Sequence, residues 1–173
     1  MSLKEMISKL VLARIDGKRV LQYALYLFLA LVLQNMLFTQ LRLFGACPLI
    51  LPAVAVAIGM FEGGTWGAVI SMILGIFADM AFVENTVTFT VLFPLLAFGA
   101  GFIAQFFINR RFFAFMGAAL VGLLITGVVQ MLRTAAGDVF SLVMIRTVIL
   151  QTLWTLPFAP LAYWPAAKWI GQR

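Results

Sequence analysis

Few side chains in this chain could do chemistry, and the first of them is Asp79, an acid near the end of an apolar stretch. That stretch runs over residues 62–83 and is apolar enough to cross a bilayer. A carboxylate centred in the bilayer costs about 2.5 to 3.5 kcal/mol on insertion scales, so Asp79 should face protein, water or a cation. Hydration at the membrane interface is the other open interpretation, because Asp79 lies near the end of its stretch.

Arg146 is the predicted partner of Asp79. Each residue lies roughly 6 Å below the outer end of its predicted membrane span, because an α-helix rises 1.5 Å per residue. A carboxylate and a guanidinium at one depth can form a bidentate pair. We predict that Asp79 pairs with Arg146, with Arg133 as the second choice, and separate hydration of each side chain is the alternative. Gln130 and Gln151 are further polar candidates inside predicted spans.

A stripe of small residues leads up to Asp79. Its members recur at every fourth position and are Gly63, Gly67, Ser71 and Gly75. This spacing lets a second helix approach closely in lipid, where dispersion contacts and interhelical hydrogen bonds supply the association energy. We therefore predict that the stripe packs against another helix or a partner. A candidate for the opposing face is a second stripe at the same spacing, formed by Ala118, Gly122, Thr126 and Gln130.

The sequence shows no catalytic, cofactor or metal site. It has no His and a single Cys, Cys47, which excludes the usual zinc sites and an intrachain disulfide. It also lacks a phosphate-binding glycine loop, a Ser/His/Asp set and a pair of mid-membrane acids. We therefore expect a non-enzymatic protein without a cofactor.

Composition predicts an all-α integral membrane protein that associates with lipid. Of the 173 residues 64% are hydrophobic and 10% are charged, and the mean hydropathy is +1.10. So much apolar surface cannot be hidden in a soluble domain of this size. The net charge of +6 is therefore an orientation signal and not a sign of nucleic-acid binding.

Six transmembrane helices are predicted, in a single membrane domain over residues 20–170. The predicted spans are residues 20–39, 48–61, 62–83, 87–108, 112–132 and 142–163. The second span is short, so a tilted, shielded or re-entrant helix is an open alternative. Pro157 and Pro160 should bend the sixth. Residues 1–19 form a basic cytoplasmic prelude, which is either an interfacial helix or a solvated flank.

The basic residues predict the orientation of these spans. With the N-terminus in the cytoplasm, the basic residues on the outer side are Arg42, Arg133 and Arg146. Three of the twelve Lys and Arg are then outside and nine are inside, which is the asymmetry that the positive-inside rule requires. Both termini are therefore predicted to lie in the cytoplasm.

Residues 34–80 resemble the MreD family of rod shape-determining membrane proteins. The positions that carry the resemblance are Gln34, Gly45 and Pro48, followed by Gly64, Gly67, Gly75 and Asp79. The resemblance implies a non-enzymatic scaffold or adaptor of the bacterial cell-elongation machinery, located in the cytoplasmic (inner) membrane. It also implies an MreC-like partner and an influence on the membrane proteins that synthesise peptidoglycan.

A second resemblance is to the substrate-binding S components of energy-coupling-factor transporters. The shared pattern is a glycine-rich third span that ends in Asp79, within a six-helix protein of this size. This resemblance implies a vitamin or a metal bound near the outer side, where Asp79 and Arg146 could serve. Both families imply one six-helix architecture, and homo-oligomers stay open with either.

Overall fold

The computed structural model describes residues 17–41, 47–81, 87–106, 112–137 and 142–170, which form helices and no strands. The helices are α1 (Gly17–Leu33), continued by a π-helical turn (Gln34–Phe38), α2 (Leu51–Glu62), α3 (Gly64–Ala81), α4 (Thr88–Phe106), α5 (Phe112–Gly137), α6 (Leu142–Thr155) and α7 (Ala159–Pro165). A 3-10 turn (Leu156–Phe158) joins α6 to α7, and a second π-helical turn (Ala166–Ile170) follows α7. Most of the predicted prelude lies outside the described residues.

Four of the described helical segments are long and apolar enough to cross a membrane. They are Val20–Phe38, Gly64–Ala81, Thr88–Gln105 and Phe112–Ala135. These segments correspond to the first, third, fourth and fifth predicted spans. The second and sixth predicted spans take other forms, so the count of six spans stays a prediction.

The second predicted span is a short helix in the centre of the protein. α2 has 12 residues, and every residue from Leu51 to Phe61 is buried. Pro52 lies in its first turn, where the N–H groups have no intrahelical partners. Twelve residues rise only about 18 Å, against roughly 30 Å of hydrocarbon core. Of the three forms that the sequence left open, α2 takes the shielded one. Other parts of the protein must therefore provide hydrogen-bond partners for the backbone groups at its ends.

The sixth predicted span is divided at Pro157. α6 ends at Thr155 and α7 begins at Ala159, because proline lacks an N–H group and crowds the preceding helical turn. α6 packs mainly against α5, whereas α7 packs against the central α2. The hydroxyl of Tyr26 in α1 donates a buried hydrogen bond of 2.7 Å to the carbonyl of Ala162 in α7. α1 and α7 therefore meet across the core.

The glycine stripe of α3 lies against α2 and α4. A Cβ atom on Gly67 would lie 2.7 Å from the Cα atom of Gly59 in α2. A Cβ atom on Gly75 would lie 2.7 Å from the Cα atom of Thr90 in α4. Ser71, between them, is completely buried. Only a hydrogen atom fits at the two glycine positions, so the backbones of these helices touch.

The sequence suggested that this stripe packs against the small-residue face of the fifth span, and that prediction is wrong. α5 packs against α2 and α6, while the main neighbours of α3 are α4 and α2. A Cβ atom on Gly122 of α5 would meet Cγ2 of Val56 in α2 at 3.0 Å. The central α2 thus stands between α5 and the glycine stripe.

Candidate functional site

Asp79 is buried at the end of α3 and caps the start of α4. Its two carboxylate oxygens accept hydrogen bonds of 3.1 Å from the Phe89 N–H and 2.8 Å from the Thr90 N–H. The Thr90 hydroxyl donates a third hydrogen bond of 2.7 Å. The first N–H groups of a helix lack intrahelical partners, and the positive end of the helix dipole favours a negative charge there. Asp79 therefore binds the N-terminus of the neighbouring helix α4.

The predicted pair between Asp79 and Arg146 is not formed. The hydrogen bonds of Asp79 in the described structure come from α4, and Arg146 is exposed on α6, which packs against α5. Arg133, the second choice, is half-buried on α5 and is not among the hydrogen-bond donors to Asp79. Three directed donors from α4 satisfy the carboxylate without the cost of desolvating an arginine.

Gln130 and Gln151, the other polar candidates, are half-buried on α5 and α6. The backbone carbonyl of Gln130 accepts a hydrogen bond from the Thr134 hydroxyl, and that of Gln151 accepts one from the Thr155 hydroxyl. These are bonds within one helix. Within the described structure, the hydrogen bonds to Asp79 come from Phe89 and Thr90 and not from either glutamine.

Gln34 and Thr155 satisfy the buried start of α2. The side-chain oxygen of Gln34 accepts a hydrogen bond of 2.9 Å from the Ile50 N–H, and its side-chain nitrogen donates one of 3.1 Å to the Pro48 carbonyl. The Thr155 hydroxyl accepts a hydrogen bond of 3.0 Å from the Leu49 N–H. A buried N–H without a partner costs about 1 to 3 kcal/mol. These two side chains therefore allow a short helix to begin inside the protein.

The positions that carried the family resemblance lie at helix contacts where they are described. Gln34 and Pro48 are joined by the hydrogen bond given above, and a Cβ atom on Gly64 would lie 3.2 Å from Cδ2 of Phe98. Gly45 lies outside the described residues. Gly63 is the one described glycine with a positive φ, of 90°, and it makes the sharp connection from α2 to α3.

A groove of about 930 Å³ runs between α1 and α3. One face of α1 and of the π-helical turn that continues it lines the groove from Val20 to Met36, and one face of α3 lines it from Trp66 to Ala81. At 1.5 Å per residue these faces extend over about 24 Å, which is most of the hydrocarbon thickness of a bilayer. Large and partly exposed apolar side chains form its walls, among them Phe28, Val69, Ile73 and Phe77.

The described polar side chains that line this groove lie near its two ends. At one end the Tyr23 hydroxyl donates a hydrogen bond to the carboxylate of Glu62, the last residue of α2, and Trp66 lines the same end. At the other end the side-chain amide of Asn35 donates a hydrogen bond of 3.0 Å to the Leu31 carbonyl of its own helix. The groove thus fits an apolar rod that has polar groups at its ends.

Sequence reasoning did not single out Tyr23, Glu62 or Thr155. One signal for Glu62 is its position, since a negative charge at the C-terminus of a helix is disfavoured by the helix dipole. An acid that closes an apolar helix therefore indicates a role outside that helix. No pattern along the chain links Glu62 to Tyr23, which is 39 residues away.

Comparisons with family models, with curated proteins and with solved structures give no match to this chain. The likeness to MreD therefore stays an expectation drawn from individual sequence positions.

Proposed function

We propose that this protein is a non-enzymatic membrane adaptor that holds a transmembrane helix of a partner protein in the groove between α1 and α3. The groove is the observation that carries the proposal. Its length of about 24 Å suits a membrane-crossing rod. Its apolar walls offer the dispersion contacts on which helix association in lipid depends.

A helix suits the groove better than a lipid does. The acyl chains of a lipid reach from one surface only to the middle of the bilayer, whereas the groove extends over most of the hydrocarbon thickness. A helix of about 20 apolar residues fills such a length without a break. Its flanking residues then meet the polar groups of Glu62 and Tyr23 at one end and of Asn35 at the other.

The sequence resemblance suggests which partner the adaptor serves. In the proposed role it binds an MreC-like protein in the bacterial inner membrane and thereby influences the peptidoglycan synthases of cell elongation. The other resemblance, to vitamin- or metal-binding S components, receives less support. Asp79 is engaged in capping α4 and does not form the expected cluster with Arg146.

Site-specific photo-crosslinking tests the proposal. The chain is co-produced with the MreC-like protein of the same organism, and a photoreactive side chain is placed at Phe28 or Ile73 in the groove. Val121 is the matched control, because it lies in the middle of α5, is 53% exposed and does not line the groove. We expect crosslinks to the partner from the two groove positions and not from Val121. Crosslinks of equal yield from all three positions, or from none, contradict the proposal.

A further inference from the structure

We infer that Glu62 recognises a positively charged group, a Lys or Arg side chain on the flank of the helix that occupies the groove. This inference rests on the proposed function, because it assigns one contact of the proposed occupant. Glu62 is the one acidic side chain among the described residues that line the groove. It lies at the end of the groove, where the polar flank of a membrane helix would pass.

The carboxylate of Glu62 has acceptor capacity left for such a partner. It is half-buried, and Oε1 accepts a hydrogen bond from the Tyr23 hydroxyl. An ionised carboxylate offers about four acceptor positions. Within the described structure no further donor to Glu62 accompanies Tyr23. A Lys or Arg of the occupant would therefore add a charge-assisted hydrogen bond, which is stronger than a neutral one.

Two further features favour a cation at this end. Trp66 lines the same end of the groove, and an indole face attracts the ammonium of Lys and the guanidinium of Arg. In addition, Glu62 is the last residue of α2, where the helix dipole disfavours an anion. A cation from the occupant would offset that unfavourable interaction.

The predicted orientation places Glu62 on the side of the membrane where a partner helix carries its Lys and Arg. The Glu62 end of the groove is the end at which α1 begins, since Tyr23 lies in the second turn of α1. The positive-inside rule predicts that this end faces the cytoplasm. By the same rule a partner helix carries its Lys and Arg on the cytoplasmic flank. The basic flank of the occupant would thus meet Glu62.

Peptide crosslinking in vesicles tests the inference. The probes are three transmembrane peptides with the same 20-residue leucine–alanine core and a central cysteine, flanked at both ends by lysine, glutamine or glutamate. The full chain carries Cys47→Ser and Ile73→Cys, and each peptide is incorporated with it into phosphatidylcholine vesicles. The yield of disulfide between Ile73→Cys and the peptide is measured under mild oxidation. Identical flanks remove any dependence on peptide orientation.

With Glu62 intact, we expect the lysine-flanked peptide to crosslink about three- to tenfold more than the glutamine-flanked one, the range of a partly desolvated ion pair. This comparison needs no substitution at Glu62. The net charge of +6 on the chain would by itself favour the glutamate-flanked peptide, so a preference for lysine requires a local acid. Glu62→Gln should remove the preference, and Glu62→Lys should shift it to glutamate. Tyr23→Phe, which keeps the carboxylate, should leave the lysine preference in place.

The outcomes separate the inference from the proposed function. Equal crosslinking of all three peptides at Ile73→Cys, above the yield at a Val121→Cys control, would overturn the role of Glu62 and leave the groove as a helix site. A lysine preference that persists in Glu62→Gln would also overturn that role. Yields at Ile73→Cys no higher than at Val121→Cys would overturn the proposed function itself.

Discussion

Gly67 of α3 lies so close to Gly59 of α2 that a Cβ atom on Gly67 would come within 2.7 Å of the Gly59 Cα atom. Non-bonded carbon atoms have their best contact at about 3.5 to 4.0 Å, so a side chain at Gly67 would force one of the two backbones to move. Gly101 of α4 joins the same contact, since its Cβ atom would lie 2.6 Å from the Gly59 carbonyl oxygen. Three helices therefore meet backbone to backbone at Gly59.

The first prediction concerns this contact. We expect Gly67→Ala to lower the free energy of unfolding by about 1 to 3 kcal/mol, because the added methyl group overfills the space between α2 and α3. Unfolding in detergent, followed by circular dichroism, measures the change. Gly117→Ala is the matched control, because no heavy atom lies within 4 Å of its added Cβ. Gly117→Ala should be neutral or stabilising by about 0.5 to 1 kcal/mol, and equal destabilisation by both variants would contradict the contact.

The second prediction concerns Asp79 as a cap. Asp79→Ala should destabilise the protein by about 1 to 2 kcal/mol or more, because two backbone N–H groups and one hydroxyl of α4 lose their acceptor. A double-mutant cycle identifies the partner. Asp79→Ala and Thr90→Val should be non-additive, since they remove the same hydrogen bond.

Arg146→Gln is the control for the second prediction. Because Arg146 is exposed on α6, Asp79→Ala and Arg146→Gln should add within about 0.5 kcal/mol. A coupling between Asp79 and Arg146 larger than that between Asp79 and Thr90 would restore the ion pair that the sequence suggested.

The third prediction compares two neighbouring amides. Gln34→Leu should cost about 1 to 3 kcal/mol, because the buried Ile50 N–H and Pro48 carbonyl both lose their partner. Asn35→Leu is the control, since Asn35 is exposed and bonds only within its own helix. Amide hydrogen exchange at Ile50 should accelerate in Gln34→Leu and not in Asn35→Leu. Unchanged exchange at Ile50 in Gln34→Leu would show that the start of α2 is held by other groups.

The need of Asp79 for a partner could be predicted from the sequence, but the partner could not. The free-energy cost of burying a carboxylate follows from the acidic residue and its apolar neighbours, and both are visible in the sequence. The donors are backbone N–H groups of Phe89 and Thr90, and every helix start offers such groups whatever its residues are. Arginine side chains were the donors that the sequence made visible, and neither Arg146 nor Arg133 is the partner.

The central position of α2 was likewise only partly predictable. Its shortness follows from the small number of apolar residues between Pro48 and Phe61. The burial of α2 does not follow from the sequence, because a helix that is apolar on every side can face lipid or protein equally well. The groove was not predictable at all, since its two lining faces differ in no local pattern from lipid-facing helix surfaces. At one end of the groove Tyr23 contacts Glu62, and only the fold brings together these residues, which are 39 positions apart in the sequence.

The last prediction concerns the groove as a binding surface. Ile73→Trp should abolish or strongly weaken partner binding, because an indole in the middle of the groove occupies the volume that the partner helix needs. The fold should tolerate the change, since Ile73 is 41% exposed and its side chain points into open space of the groove. Val121→Trp adds the same bulk at a similarly exposed position in the middle of α5 and should leave binding unchanged. Copurification of the MreC-like partner measures binding, and unfolding in detergent verifies that both variants fold. If Ile73→Trp retains the partner at the level of Val121→Trp, the partner helix lies elsewhere on the protein.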